Sequence, residues 1–172
     1  YGEELGMEDV EIPESMRDDP YQGRDKARTP MLWTPGDNAG FTEGNTTWLP
    51  LSPDYAEKNV QTQLENPDSF LSLYRRLLRL RRGSITLRTG QYIPEDSGHP
   101  DVFSFNRRSG GERLSIVANF SEVEAEVRLC RGLGAVILSS IPKASSESSD
   151  VQMEELTIQA NEALIIKAAR AR

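Results

Sequence analysis

Gly23-Arg24-Asp25-Lys26-Ala27-Arg28-Thr29-Pro30-Met31-Leu32-Trp33 is the stretch on which the reading of this 172-residue chain turns. Its chemistry can be read from the residues. Arg24 and Arg28 stand four residues apart. Their planar guanidinium forks suit carboxylates and adjacent hydroxyls, and the indole of Trp33 offers a flat apolar face. On the residues alone, a structural ion pair is the better reading of either arginine. The stretch lies within a long punctuated segment, residues 1–65, where Pro13, Pro20, Pro30, Pro35, Pro50 and Pro53 fall among Gly23, Gly36, Gly40 and Gly44. A segment of that length with no dominant element is uncommon inside a domain and is usually functional. Tyr21, Trp33, Phe41, Trp48 and Tyr55 are interleaved with it, including both tryptophans of the chain. Such apolar area favours packing onto a neighbouring body over disorder.

Beyond this segment the pattern changes twice. Asn66-Pro67-Asp68 reads as a helix N-cap, a proline at the first helical position and an acidic first turn. Phe70, Leu73, Tyr74, Leu77 and Leu80 then form one helical stripe. Arg75, Arg76, Arg79, Arg81 and Arg82 crowd the last turns, where cations suit the helix dipole, and Gly83 is a stop. These arginines read as a solvated face. After Gly83 the period falls to two. Residues 102–106, 114–120, 123–129, 134–139, 153–158 and 163–168 are short strand-like runs separated by turn clusters, which predicts an antiparallel β-sandwich. Residues 144–150, Ala-Ser-Ser-Glu-Ser-Ser-Asp, read as an exposed hairpin tip. The domain division expected is therefore 1–83 and 84–172.

Composition removes several functions. Against 20 Lys+Arg stand 27 Asp+Glu, a net charge of −7, so the basic field that drives nucleic-acid binding is absent. The one cysteine, Cys130, cannot form an intrachain disulfide, and it fits a reducing, cytoplasmic compartment. With one histidine, His99, set in a turn-like Ser-Gly-His-Pro-Asp stretch, no four-ligand zinc site of nitrogen and sulfur donors can be assembled. No glycine loop cradles a phosphate, so neither a metal nor a cofactor is expected. No run approaches the roughly 20 apolar residues of a membrane span. The acidic pairs Glu3-Glu4, Glu8-Asp9, Asp18-Asp19 and Glu154-Glu155 read as surface charge, and no catalytic residue is assigned. Asn45-Thr46-Thr47 and Asn119-Phe120-Ser121 match the glycosylation acceptor pattern. The chain opens at Tyr1 rather than Met, inside a segment that reads as ordered, and is expected to belong to something longer.

The quoted stretch resembles the GRDxxRTPMQW segment of bacterial α-glucosidases of the α-amylase family, the oligo-1,6-glucosidase type. The likeness continues on both sides. Tyr1-Gly2-Glu3-Glu4-Leu5-Gly6-Met7 is similar to the YGEEIGM that ends the eighth barrel strand in that family. Asn38-Ala39-Gly40-Phe41-Thr42, Trp48-Leu49-Pro50, Asn59-Val60 and Ser72-Leu73-Tyr74-Arg75-Arg76-Leu77 follow in the family's order, and residues 114–120 resemble its C-terminal domain. Leu32 stands where the family usually has Gln, and Thr34 where it often has Asp.

The resemblance implies an α+β fragment: the last strand end, long eighth βα loop and helix of a (β/α)₈ barrel, followed by an antiparallel β domain. Active sites of such barrels lie at the C-terminal ends of the strands. By resemblance, Arg24 helps hold the terminal glucose and Arg28 borders the next subsite or orients the loop. The substrate implied is an oligosaccharide and the partner is the missing N-terminal barrel. The family's catalytic carboxylates lie upstream of the YGEE segment and are not in this chain, so the 172 residues alone are expected to be inactive. Three rivals stand beside this reading. Trehalose synthase and sucrose-acting relatives share the architecture. The heavy-chain subunit of amino-acid transporters has the same fold without catalysis; the intact Arg-Thr-Pro-Met stretch and Arg24 favour the enzyme, while the two glycosylation patterns favour the transporter subunit. A stand-alone β module would leave the helical stripe in need of another partner.

Overall fold

Punctuation shapes the first part of the chain in the computed structural model, which describes residues 1–16, 23–142 and 150–169. The expectations that fall on Asp18, Asp19, Tyr21 and residues 144–149 lie outside the described residues. The chain divides into two compact units, Tyr1–Arg76 and Leu77–Arg172. The division expected at 83/84 falls at the C-terminal end of the helix within which the units divide.

The first unit is built from short 3₁₀ turns at Glu3–Leu5, Glu14–Met16, Asp25–Ala27 and Asp37–Gly40, then helix α1 (Val60–Glu65) and the start of helix α2 (Phe70–Gly83). Helix α1 was not expected. Its signal is Asn59, a fully buried N-cap whose side chain accepts from the Thr62 N–H at 2.9 Å and donates to the Tyr55 and Ala56 carbonyls. Helix α2 follows the predicted stripe but starts later than predicted. Asn66 closes a turn by accepting from the Asp68 N–H, and Ser69 is the cap, accepting from the Ser72 N–H at 3.2 Å. The one hydroxyl proton of Ser69 has the carbonyls of Gln63 and Asn66 both within reach as acceptors. No residue of α2 is fully buried, and Phe70 at its start is 58% exposed.

Leu5, Met31, Leu32 and Ala39 form a small core with Met7, Leu51, Tyr55, Val60 and Leu71 against it. Gln63 ties three segments together: its side chain donates to the Leu5 carbonyl at 2.8 Å and accepts from the Leu71 N–H at 3.0 Å. Such a buried amide is stabilising because both ends are satisfied.

In the second unit the rest of α2 is followed by helix α3 (Ile85–Thr89), capped by the Ser84 side chain, which accepts from the Leu87 N–H. Strands β1 (Gln91–Glu95), β2 (Val102–Ser109), β3 (Glu112–Asn119), β5 (Leu133–Ser139), β6 (Asp150–Gln152) and β8 (Ala163–Ala168) form a six-stranded antiparallel sheet in the order β1-β2-β3-β8-β5-β6. A second sheet pairs β4 (Ala125–Val127) with β7 (Leu156–Ile158). Alternating residues of both sheets, Val102, Val117, Val127, Ile158, Leu164 and Ile166 among them, make one core with Met153. Two antiparallel sheets about a common core are what the period-two runs predicted.

Two details differ. Strand β1 was missed because Pro94 argues against a strand; it lies at the sheet edge, where a missing N–H is tolerated. The run 153–158 is not one strand. Met153 is buried between β6 and β7, its N–H donating to the Gly132 carbonyl and its carbonyl accepting from Leu129, so the chain changes sheets there. His99 lies in the turn between β1 and β2, as expected, its Nδ1 accepting from the Asp101 N–H.

Candidate functional site

Arg24 and Arg28 bracket a single 3₁₀ turn, Asp25–Ala27. The Arg24 carbonyl accepts from the Ala27 N–H at 3.2 Å, and the Arg28 N–H donates to the Asp25 carbonyl at 2.9 Å. Both side chains are exposed. The turn is tied back to the N-terminal segment: the Val10 N–H donates to the Lys26 carbonyl, and Lys26 Nζ lies 2.9 Å from Asp9. Hydrogen bonding to Asp9, and then its charge, raises the Lys26 ammonium above its ordinary value. Immediately after Arg28 the chain dives inward through Thr29, Met31 and fully buried Leu32. Leu32 therefore packs in the core, and its departure from the family's Gln exchanges a polar side chain for an apolar one at a buried position.

Trp33 leaves this core 47% exposed, and its N–H together with that of Thr34 donates to the Ala39 carbonyl at 2.9 and 3.0 Å. Ala39 belongs to a left-handed turn in which Asn38, Ala39 and Gly40 have φ of 49°, 52° and 66°. Such a run in L-residues costs about 1–2 kcal/mol per non-glycine position and persists only when its surroundings fix it. The surroundings do so here. Ala39 is fully buried, Asn38 Nδ2 donates to the Gly44 carbonyl at 2.6 Å, and a Cβ on Gly40 would stand 2.7 Å from Thr34 Oγ1. The turn sets Trp33 before it and Phe41, 39% exposed, after it. Trp48 is 60% exposed. The structure thus places both arginines on one exposed turn and leaves Trp33, Phe41 and Trp48 among the aromatic side chains exposed in the same unit.

Sequence reading missed the left-handed turn, although Asn-Ala-Gly is a signal for positive φ at its first and last positions. It also missed a buttress at Lys58, whose ammonium lies 2.8 Å from Asp54 and 3.3 Å from Glu8. Burial pushes the Asp54 carboxyl up, but hydrogen bonds from Lys58 and Ser52 and the Lys58 charge outweigh it and hold the group below its ordinary range. In the second unit, burial and then the neighbouring Glu95 push the Cys130 thiol up, which suits a packed cysteine rather than a nucleophile. Asn119 is 3% exposed and its side-chain N–H groups donate to the Val123 and Gln159 carbonyls, so this glycosylation pattern is sealed in the fold.

A match to the alpha amylase catalytic domain covers residues 1–90. The chain is 41% identical over 129 residues to an oligo-1,6-glucosidase of Parageobacillus thermoglucosidasius, which covers 74% of this chain and 22% of that protein. Among solved structures it is similar to trehalose-6-phosphate hydrolase of Bacillus licheniformis, with a TM-score of 0.83 at 26% identity over 98% of this chain and 35% of that one. Trehalulose synthase of Pseudomonas mesoacidophila MX-45 is matched with a TM-score of 0.83 at 28% identity, again over 98% and 35%. The chain spans about a fifth to a third of the length of these relatives.

Proposed function

This chain belongs to the α-amylase family, and on that premise we propose that it is the C-terminal part of a retaining glycoside hydrolase that releases terminal α-linked glucose from short oligosaccharides. Residues 1–83 supply the last strand end, the eighth βα loop and the following helix of a (β/α)₈ barrel, and residues 84–172 supply the β domain. The observation that carries this reading is the catalytic-domain match over residues 1–90, which contains Arg24 and Arg28 on their exposed turn. The parent protein works in the cytoplasm.

The division of labour follows from the chemistry. Retaining hydrolysis needs a nucleophilic carboxylate and an acid/base carboxyl roughly 5–5.5 Å apart, both supplied by the upstream barrel. Arg24 holds the terminal glucose by a planar fork that can reach two oxygens at once, and Arg28 borders the next subsite. Such positioning fixes the anomeric carbon against the nucleophile, an entropic advantage worth several kcal/mol. The turn that carries the fork is tied to the N-terminal segment by Val10 to Lys26 and Lys26 to Asp9.

The test is kinetic. In the full-length parent, Arg24→Lys replaces a fork with a point charge, and kcat/KM for a small α-glucoside should fall about tenfold or more, about 1.4 kcal/mol of transition-state stabilisation. Unchanged kinetics would remove Arg24 from the sugar site. The likeness to trehalulose synthase supports a second reading, transfer or isomerisation in place of hydrolysis. Product analysis with sucrose separates the two, free glucose and fructose marking hydrolysis and an isomeric disaccharide marking transfer.

A further inference from the structure

The β domain gathers cations at one end in a chain whose net charge is −7. Arg108 on β2 and Arg113 on β3 are direct partners in the antiparallel register, so their side chains share a face of the sheet. That face is the one turned toward the core. The same row of pairs runs from Val102 with Asn119, through Ser104 with Val117 and Asn106 with Ser115, all buried, and ends at the two arginines. Beyond Ser115 the core gives way to an open cavity of about 920 Å³. Arg108 and Arg113 line it with Ala168 of β8, and the loop Arg131-Gly132-Leu133 forms another wall. Small-molecule sites typically occupy about 300–1,000 Å³.

The charges in this cavity are unbalanced. Like charges directly opposite on paired strands destabilise a sheet. Among the described residues neither Arg108 nor Arg113 has a carboxylate within ion-pairing distance. Among the described residues Glu112 is the one acid lining the cavity, and it is already engaged, 2.9 Å from Lys167 Nζ and accepting from the Thr86 hydroxyl. Arg131 meets Glu154 only at 3.5 Å through Nε, with its side chain 96% exposed, a contact of small value. The backbone leaves room at the rim: a Cβ on Gly111 or Gly132 would meet no atom within 4 Å. Three arginines thus line one open cavity, two of them directly opposed on paired strands.

We propose that this end of the β domain binds a phosphate monoester of sugar-phosphate size. Arg108 and Arg113 share the phosphate through their forks, Arg131 closes over it, and the rest of the cavity holds the attached body. A dianion is the matched ligand because it answers both opposed guanidinium charges, where a single carboxylate answers one. Planar forks give bidentate contacts to phosphate oxygens. This site is independent of the sugar-site reading of Arg24.

Calorimetric titration of the 172-residue chain tests it, with inorganic phosphate, glucose 6-phosphate, glucose, and sodium chloride at matched ionic strength as probes. Saturable binding of both phosphates is expected, tighter for glucose 6-phosphate, with none for glucose and none reproduced by chloride. Arg108→Gln and Arg113→Gln should each weaken binding tenfold or more. The opposed charges add an expectation of the other sign: by scanning calorimetry without ligand, each variant should melt no lower than the parent, so lost binding cannot be mistaken for lost folding. Absence of phosphate binding, or binding that survives in both variants, overturns the site. Equal affinity for inorganic phosphate and glucose 6-phosphate overturns the sugar-sized body.

Discussion

The two units of this chain bury their apolar residues by opposite means. In Leu77–Arg172 the strands alternate, the sheets share one core, and Val117, Met153, Ile158 and Ile166 are fully enclosed. In Tyr1–Arg76 the core is four residues and their neighbours, while Tyr1, Trp33, Trp48, Leu64 and Phe70 remain about half exposed or more. The second unit is organised by periodicity around one enclosed core. The first is organised by turns, caps and individual hydrogen bonds around a much smaller one, and both keep large apolar side chains at the surface, Trp33 and Trp48 in the first, Phe103 and Phe120 in the second.

The contrast can be broken most forcefully in the cores. Ile166→Ala removes a fully buried side chain from the centre of the larger core and should cost about 3–5 kcal/mol in urea unfolding. Leu32→Ala in the smaller core should cost less, about 2–3 kcal/mol, and its loss of amide-exchange protection should stay within residues 1–76. Equal costs, or loss of protection spreading through the β strands, would erase the distinction.

Glycines sharpen the comparison. Gly134 has ordinary backbone but no room, since a Cβ there would lie 2.6 Å from Ile166 Cγ2 and 2.9 Å from Met153 Sδ. Gly134→Ala should therefore cost about 1–3 kcal/mol by overpacking, and Ile166→Ala, which removes the Cγ2 it meets, should cost less in that background than in the parent. Gly40 has φ +66° as well as a close Thr34 hydroxyl. Gly40→Ala should cost about 1–2 kcal/mol through the backbone, and Thr34→Ser, which removes only a methyl, should restore little.

The smallest effect expected is electrostatic. The Asp54 carboxyl is lowered, so its contribution is present above the unfolded value of about 3.9 and is lost as pH falls through the lower folded value. Hydrogen bonding to Asp54 raises the Lys58 ammonium, so its contribution is present below the unfolded value of about 10.4 and fades as pH rises through the higher folded value. The pair is partly exposed, and Asp54→Asn should cost no more than about 1 kcal/mol at neutral pH, with a flatter stability profile as pH falls below about 4.

How much of this was legible follows the same line between the units. Strands β2, β3 and β5 were read from alternation because one face of each is largely buried, β8 was read as a short apolar run in which Leu164, Ile165 and Ile166 are all buried, and α2 was read from its stripe. Edge strand β1 was hidden by Pro94, and the break at Met153 by an apolar run that crosses from one sheet to the other. Helix α1 and the left-handed turn were missed because single residues, Asn59 and Asn38 to Gly40, determine them, and no period announces a single residue. The two arginines were legible as residues, and the quoted motif gave them their reading. The turn that carries them, and the burial of Leu32 four residues further on, needed the fold.

The central claim is that these residues complete a catalytic barrel. The most direct measurement is the intact mass of the protein as its source cell makes it, taken by mass spectrometry after capture with an antibody against this chain. A species larger than 19.2 kDa by about 30 kDa or more is expected, since a (β/α)₈ barrel requires roughly 250 residues. A mass of 19.2 kDa would contradict it and leave the open aromatic faces to a separate partner.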